Sequence, residues 1–138
     1  MAKYWFFLSD PLVYHLDRLF EKGQDVWDGV HGGNAQKHLA QIKRGDRILG
    51  YHTAPEKAVY AVLEAVSDAY PDPKEKDKVV YVVDVKGVRK FLNPAPLQAL
   101  RADKALSEMK FLVIPRLAVS PLTAAEYKEI LHLAGGKG

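Results

Sequence analysis

The stretch that most constrains the fold is the run from Val79 to Phe91. It is long, rich in β-branched residues, and alternating. Val79, Tyr81, Val83 and Val85 face one way, and Val80, Val82, Asp84 and Lys86 the other. Gly87 inside it reads as a bulge or bend of the kind found where a sheet curls into a barrel. Asn93-Pro94-Ala95-Pro96 is expected to end the run.

The other segments are short. Tyr4 to Leu8 is apolar without alternation, which suits a strand covered on both faces. Arg47 to Thr53 and Ala58 to Val66 read as strands, and Phe111 to Ile114 as a further short one. Asp10 as cap and Pro11 as first helical residue would open a helix with the stripe Leu12, Leu16, Leu19, Phe20, stopped at Gly23. Leu97 to Arg101 is a short helix. Thr123 and Glu126 form a capping box, with Leu122 and Tyr127 as its hydrophobic staple. Tyr127, Ile130, Leu131 and Ala134 carry that helix's buried face. About five or six strands and three or four helices that do not alternate as βαβ units predict an α+β fold with a curled, mostly antiparallel sheet. One domain over 1–134 is expected, with a frayed tail at 135–138.

A chain of 138 residues can bury a real core. The absence of cysteine excludes disulfides, thiolate metal sites and cysteine nucleophiles. No apolar run approaches membrane-spanning length, and the opening residues do not read as a signal peptide, so the cytoplasm is the default expectation. The net charge of +3 is compatible with a nucleic-acid partner without requiring one.

The candidate site lies at Val26 to Leu39. Gly29, Gly32 and Gly33 allow positive φ or close approach of a ligand. Asn34 is the expected N-cap of a helix with Ala35, Leu39 and Ile42 on one apolar face. Free amides, a helix N-terminus and the Trp27 indole together suit a flat, polar, nucleotide-like ligand. The alternative is that Trp27 plugs the core and the glycines only turn the chain. Asp28 either accepts from a base's exocyclic amine or holds the turn.

The enzyme templates are missing: there is no P-loop, GxGxxG, HExxH or G-x-S-x-G. His15, His31, His38, His52 and His132 form no close ligand pair by spacing, and no metal or cofactor is expected. Tyr51, at the end of its strand, is hard to assign to the core. Most basic residues read as solubilising charge.

Taken together, these motifs resemble the EVE domain family over nearly the whole chain. Tyr4-Trp5 with Leu8-Ser9-Asp10-Pro11 is similar to the family's opening strand and Ser-Glu-Pro turn. Trp27-Asp28-Gly29-Val30 is its WDGV motif, and Asn34-Ala35 with Leu39 resembles the helix start that follows. Gly45-Asp46-Arg47 with Tyr51-His52-Thr53 resembles its GDxxxxYHS segment. Ala69 to Pro73 matches its AYPDP run, and Arg116-Leu117-Ala118-Val119-Ser120-Pro121 is similar to its RLSVxP motif. Four features depart from the pattern. His31-Gly32-Gly33-Asn34 stands where Arg-Asn is usual, Asp10 replaces Glu, Thr53 replaces Ser, and the loop after Thr53 is short. They bear on the ligand more than on the fold.

The resemblance implies a PUA-like curled β-barrel with helices around it, related to YTH domains. It also implies a non-enzymatic reader of a modified base, modified cytosine in DNA being favoured, in some bacteria beside a restriction-system effector. On that reading Trp27 stacks on a flipped base, and Ser9, Asn34 and Thr53 bond its edge with help from amides near Ala35. Tyr51 and His52 close the wall, Leu117 lies alongside, and Arg116 and Lys37 meet phosphates. An RNA-binding PUA-like module is the alternative, and a nucleotide hydrolase or deaminase a weaker one.

Overall fold

A computed structural model describes residues 2–135; the end of the expected tail, 136–138, lies outside the described residues. The long run becomes the longest strand among the described residues. It forms β6 (Tyr81–Pro96), which pairs antiparallel with β2 (Gln24–Trp27), β4 (Ala58–Ala65) and the two-residue β5 (Tyr70–Pro71). The sheet continues from β4 through β3 (Arg47–His52) and β1 (Tyr4–Ser9) to β7 (Val119–Leu122). Of these pairings only β1 with β3 is parallel. The seven strands among the described residues exceed the five or six expected because β2, β5 and β7 are short segments without alternation long enough to read.

Gly87 does sit at a bend. Val62 opposes Arg89 and Leu63 opposes Gly87, so Val88 is an extra residue bulged from the ladder. A Cβ on Gly87 would stand 2.6 Å from the Phe20 ring, so the glycine also lets helix α1 (Leu16–Lys22) pack close. Asn93-Pro94 does not end the strand as expected. The register jumps from Ala61–Lys90 to Val59–Ala95, so 91–94 arch out and the chain returns to pairing. An unpaired arch tolerates Pro94, which has no N–H for a ladder.

Three other expectations change. The first helix begins at Leu16 with His15 as N-cap, because Asp10 caps the preceding turn instead, and Leu12 is 82% exposed rather than on the buried stripe. Residues 110–113 form the helical turn α4 after the short helix α3 (Leu97–Ala102), not a strand. Phe111 is buried and Leu112 partly buried against the second core, and four residues suffice for that without a ladder partner. The helix α2 (Gly33–Leu39) has Gly32 at its N-cap with φ 99°, and Asn34 lies inside its first turn without capping it. The last helix, α5 (Ala124–Leu133), carries the expected reciprocal capping box.

The strand β1 separates two cores, as its unbroken apolar character requires. Trp5 and Phe7 pack with Leu16, Trp27, Leu39 and Ile48 on one side. Phe6 packs with Leu49, Tyr51, Phe111 and the α5 residues Tyr127 and Ile130 on the other. Trp5 carries its polar edge inward, where the indole N–H donates to Asp46 Oδ2 at 2.8 Å.

Candidate functional site

A cleft of about 570 Å³ opens beside Trp27, between the end of β1, the turn that follows it, and β2. Leu8, Val13, Tyr14, Trp27, Val30 and Ala118 supply apolar surface; Ser9, Asp10, Asp25, Asp28 and Lys74 supply polar groups. Trp27 is 9% exposed, so most of the indole is core and one part faces the cleft. Phe7 lies tilted against it at 5.1 Å between ring centroids, and Tyr14 meets it edge-on at 5.9 Å. The indole is therefore a core residue that also forms part of the cleft wall.

The polar groups are held in place. The Tyr14 hydroxyl donates to Asp25 Oδ2 at 2.8 Å, and Lys22 Nζ lies 3.1 Å from Asp25 Oδ1. Burial raises the Asp25 carboxyl, but the bonds from Tyr14, Lys22 and the Val26 N–H outweigh it, and the net shift is downward. Burial first, then the Asp25 carboxylate, push the Tyr14 hydroxyl far up, so it stays a donor. Ser9 Oγ donates to the Tyr14 carbonyl at 2.7 Å, which leaves its lone pairs as acceptors. Asp28 is exposed in the turn where Gly29 takes φ 74°. Across the turn, the Asp84 carboxylate that accepts from the Tyr70 hydroxyl at 2.6 Å raises that hydroxyl to about 12, with burial and Asp28 adding. The cleft thus combines apolar walls with an acidic rim. It suits a flat group that donates hydrogen bonds and is unsuited to a phosphate.

Of the residues predicted from sequence, Ser9, Trp27 and Asp28 meet in this cleft. The others do not line it. Tyr51 is 2% exposed and packs on Phe6 and Phe111, a core position after all. Its side chain follows Leu49 into the second core, as strand alternation dictates. His52 is buried against Tyr60, with Thr53 next to it half-buried. Ala35 and Leu117 belong to the core around Trp27, while Asn34, Lys37 and Arg116 are exposed. The sequence reading missed Val13, Tyr14, Asp25 and Lys74. Asp25 was findable: two residues before Trp27 on a strand, it shares that residue's face.

His15, His52 and Glu56 form a second polar cluster, which residue spacing did not indicate. Their rings lie 4.4 Å apart, and His52 Nδ1 and His15 Nε2 lie 3.2 and 3.5 Å from Glu56 Oε1. The other ring nitrogens take backbone hydrogens, His15 Nδ1 from Asp17 N–H and His52 Nε2 from Leu16 N–H, both at 3.1 Å. These bonds assign both ring protons to the nitrogens that face Glu56. A metal ion there would need those nitrogens as lone pairs and would break both backbone bonds, so the geometry fits a clamp on the α1 start better than a metal centre.

Comparison with known proteins agrees with this architecture. The family model described as EVE domain matches residues 3–133. Thymocyte nuclear protein 1 of Danio rerio is 28% identical over 130 residues, covering 78% of this chain and 56% of that protein, so the chain spans little more than half of that relative. Rpa0253 from Rhodopseudomonas palustris, solved by NMR, superposes with a TM-score of 0.91 at 32% identity, covering 97% of this chain and 94% of that one. Human THYN1, solved in complex with 5-methylcytosine-containing DNA, has the same fold, with a TM-score of 0.84 at 23% identity and coverage of 99% and 100%. With its family model matched from the first strand to the last helix, this chain belongs to the EVE domain family.

Proposed function

We propose that this protein is a non-enzymatic reader of a modified base in DNA, modified cytosine first, and that the base enters the cleft beside Trp27. The observation that carries the reading is the acidic rim on an apolar slot. Cytosine presents an exocyclic N4 amine, and a carboxylate is the side chain that accepts from it. Asp28 and Asp10 stand at the rim to do so, while Tyr14 and Trp27 offer ring surface to the base. A methyl on the base would meet Val13, Val30 or Leu8, each apolar. Such a contact discriminates by roughly 1–3 kcal/mol, as one methylene does in an apolar pocket. Lys74 at the mouth, with the exposed Lys37 and Arg116, supplies charge for flanking phosphates. The DNA complex of human THYN1 supports the same reading, since that relative shares the fold.

The test is a binding screen of matched DNA and RNA oligonucleotides carrying different cytosine and adenine modifications, run at two salt concentrations. A reader prefers one modified base by about tenfold at both concentrations, while affinity for every strand falls as salt rises. Asp28→Asn weakens modified- and unmodified-cytosine oligonucleotides together, since both carry the N4 amine, and leaves the preference between them unchanged. Equal binding of all bases overturns the proposal, and a uniform preference for RNA replaces it with recognition of the 2′-hydroxyl.

A further inference from the structure

The turn between β1 and α1 presents two apolar side chains to solvent at the edge of the cleft. Leu12 is 82% exposed and Val13 74% exposed. The turn is stiff. Asp10 Oδ1 accepts the Leu12 N–H at 2.9 Å, and the Asp10 carbonyl accepts those of Val13 and Tyr14 at 3.0 and 2.8 Å. Pro11 fixes φ at its own position, and Ser9 Oγ ties the far end through the Tyr14 carbonyl. Asp10, Val13 and Tyr14 all line the cleft, and Leu12 lies between them on the same turn, beside the cleft rather than in its lining. An isolated exposed leucine is ordinary. Here the leucine is paired, braced and placed next to the slot, whereas exposed Leu92 and Val113 lie on segments that do not line it.

Resting on the reading of the cleft given above, we infer that Leu12, backed by Val13, is the wedge that fills the gap in a duplex when a base turns into the cleft. A base drawn out of its stack leaves apolar faces in contact with water, and proteins that deform duplexes insert apolar side chains at such steps. The wedge acts only where there is a stack to fill. Its contribution therefore belongs to double-stranded targets and is missing for single strands.

The experiment compares Leu12→Ser and the surface control Leu92→Ser with the wild-type protein. The probes are 5-methylcytosine and 5-hydroxymethylcytosine oligonucleotides, each as duplex and as single strand, with 2-aminopurine beside the target base. Leu12→Ser is expected to weaken duplex binding about tenfold. It leaves single-strand binding and thermal stability unchanged and reduces the 2-aminopurine signal that reports unstacking; Leu92→Ser alters none of these. Parallel loss on both strand forms, or no loss on the duplex, overturns the wedge. Wild-type binding to single strands alone also overturns it and leaves the reader intact. Failure of the wild-type protein to prefer either probe over unmodified DNA in any form overturns the reader instead.

Discussion

The side-chain amide of Gln36 pairs with both main-chain polar groups of Tyr81. Gln36 Oε1 accepts the Tyr81 N–H at 2.7 Å, and Gln36 Nε2 donates to the Tyr81 carbonyl at 3.1 Å and to the Val30 carbonyl at 2.9 Å. One side chain on α2 thus caps the start of β6 and anchors the end of the Trp27–Val30 turn. Gln36→Leu removes all three bonds and should cost roughly 1–3 kcal/mol in denaturant unfolding. Amide exchange in the turn should accelerate by more than the global loss accounts for, because the turn loses its own anchor. Unchanged exchange at Gly29 and Val30 would show that the turn is held by other contacts.

Asp46 gathers three N–H groups in a position 2% exposed: the Trp5 indole, Lys3 and Lys43. Asp46→Ala strands a buried indole donor and frees the start of β1, with an expected loss of about 3 kcal/mol. In that background Trp5→Phe should cost less than it does in the wild type, since the orphaned donor goes with it. A double-mutant cycle by urea denaturation reads the coupling, and additive losses would place the two residues' effects elsewhere.

The parts of the fold written in local chemistry were legible in the sequence. Thr123 and Glu126 predict their own reciprocal bonds, Gly23 its helix stop at φ 87°, and the alternation from Tyr81 its two faces. What was not legible depended on partners distant in sequence. Asn93-Pro94 looks like an end because nothing local says that Ala95 will find Val59 again. Phe111 sits in a helix because a core made by β1, β3 and α5 receives it. The site divides in the same way. Trp27, Asp28 and Ser9 carried motif signals, while Tyr14 and Asp25 line the cleft through a hydrogen bond between residues 11 positions apart. His15 and His52, 37 positions apart, meet because Leu16 lends its N–H to the second ring.

Trp27 is both wall and plug, and two substitutions separate the roles. Trp27→Ala opens a cavity against Phe7 and should cost about 3–5 kcal/mol. Trp27→Phe keeps an aromatic ring on Phe7 and should stay folded with a much smaller loss. If the indole faces a bound base, the phenylalanine variant nonetheless binds the preferred oligonucleotide more weakly. Calorimetric unfolding and oligonucleotide titration on the same samples check both halves. Full affinity in a stable Trp27→Phe protein would remove the indole from the recognition surface.

His52 gives the protein an acid-sensitive joint. Its ring is buried, stacks on Tyr60 with centroids 4.4 Å apart, and faces His15, Glu56 and Asp17. Burial lowers its pKa, and the nearby Glu56 carboxylate offsets only part of that effect. A histidine whose folded pKa lies below its unfolded value of about 6.5 leaves the unfolded chain holding more protons between the two. Its contribution is therefore complete above about pH 6.5 and is lost as the pH falls through the folded value. Protonating Nε2 would also expel the Leu16 N–H and loosen the start of α1. The melting temperature should drop between pH 7.5 and pH 5.5, before the carboxylates titrate. His52→Gln, whose side-chain oxygen can accept the same N–H, should melt with a flatter pH profile across that window. An equal drop in both proteins would assign the acid sensitivity to another group, with His38, also lowered by burial, the first to examine.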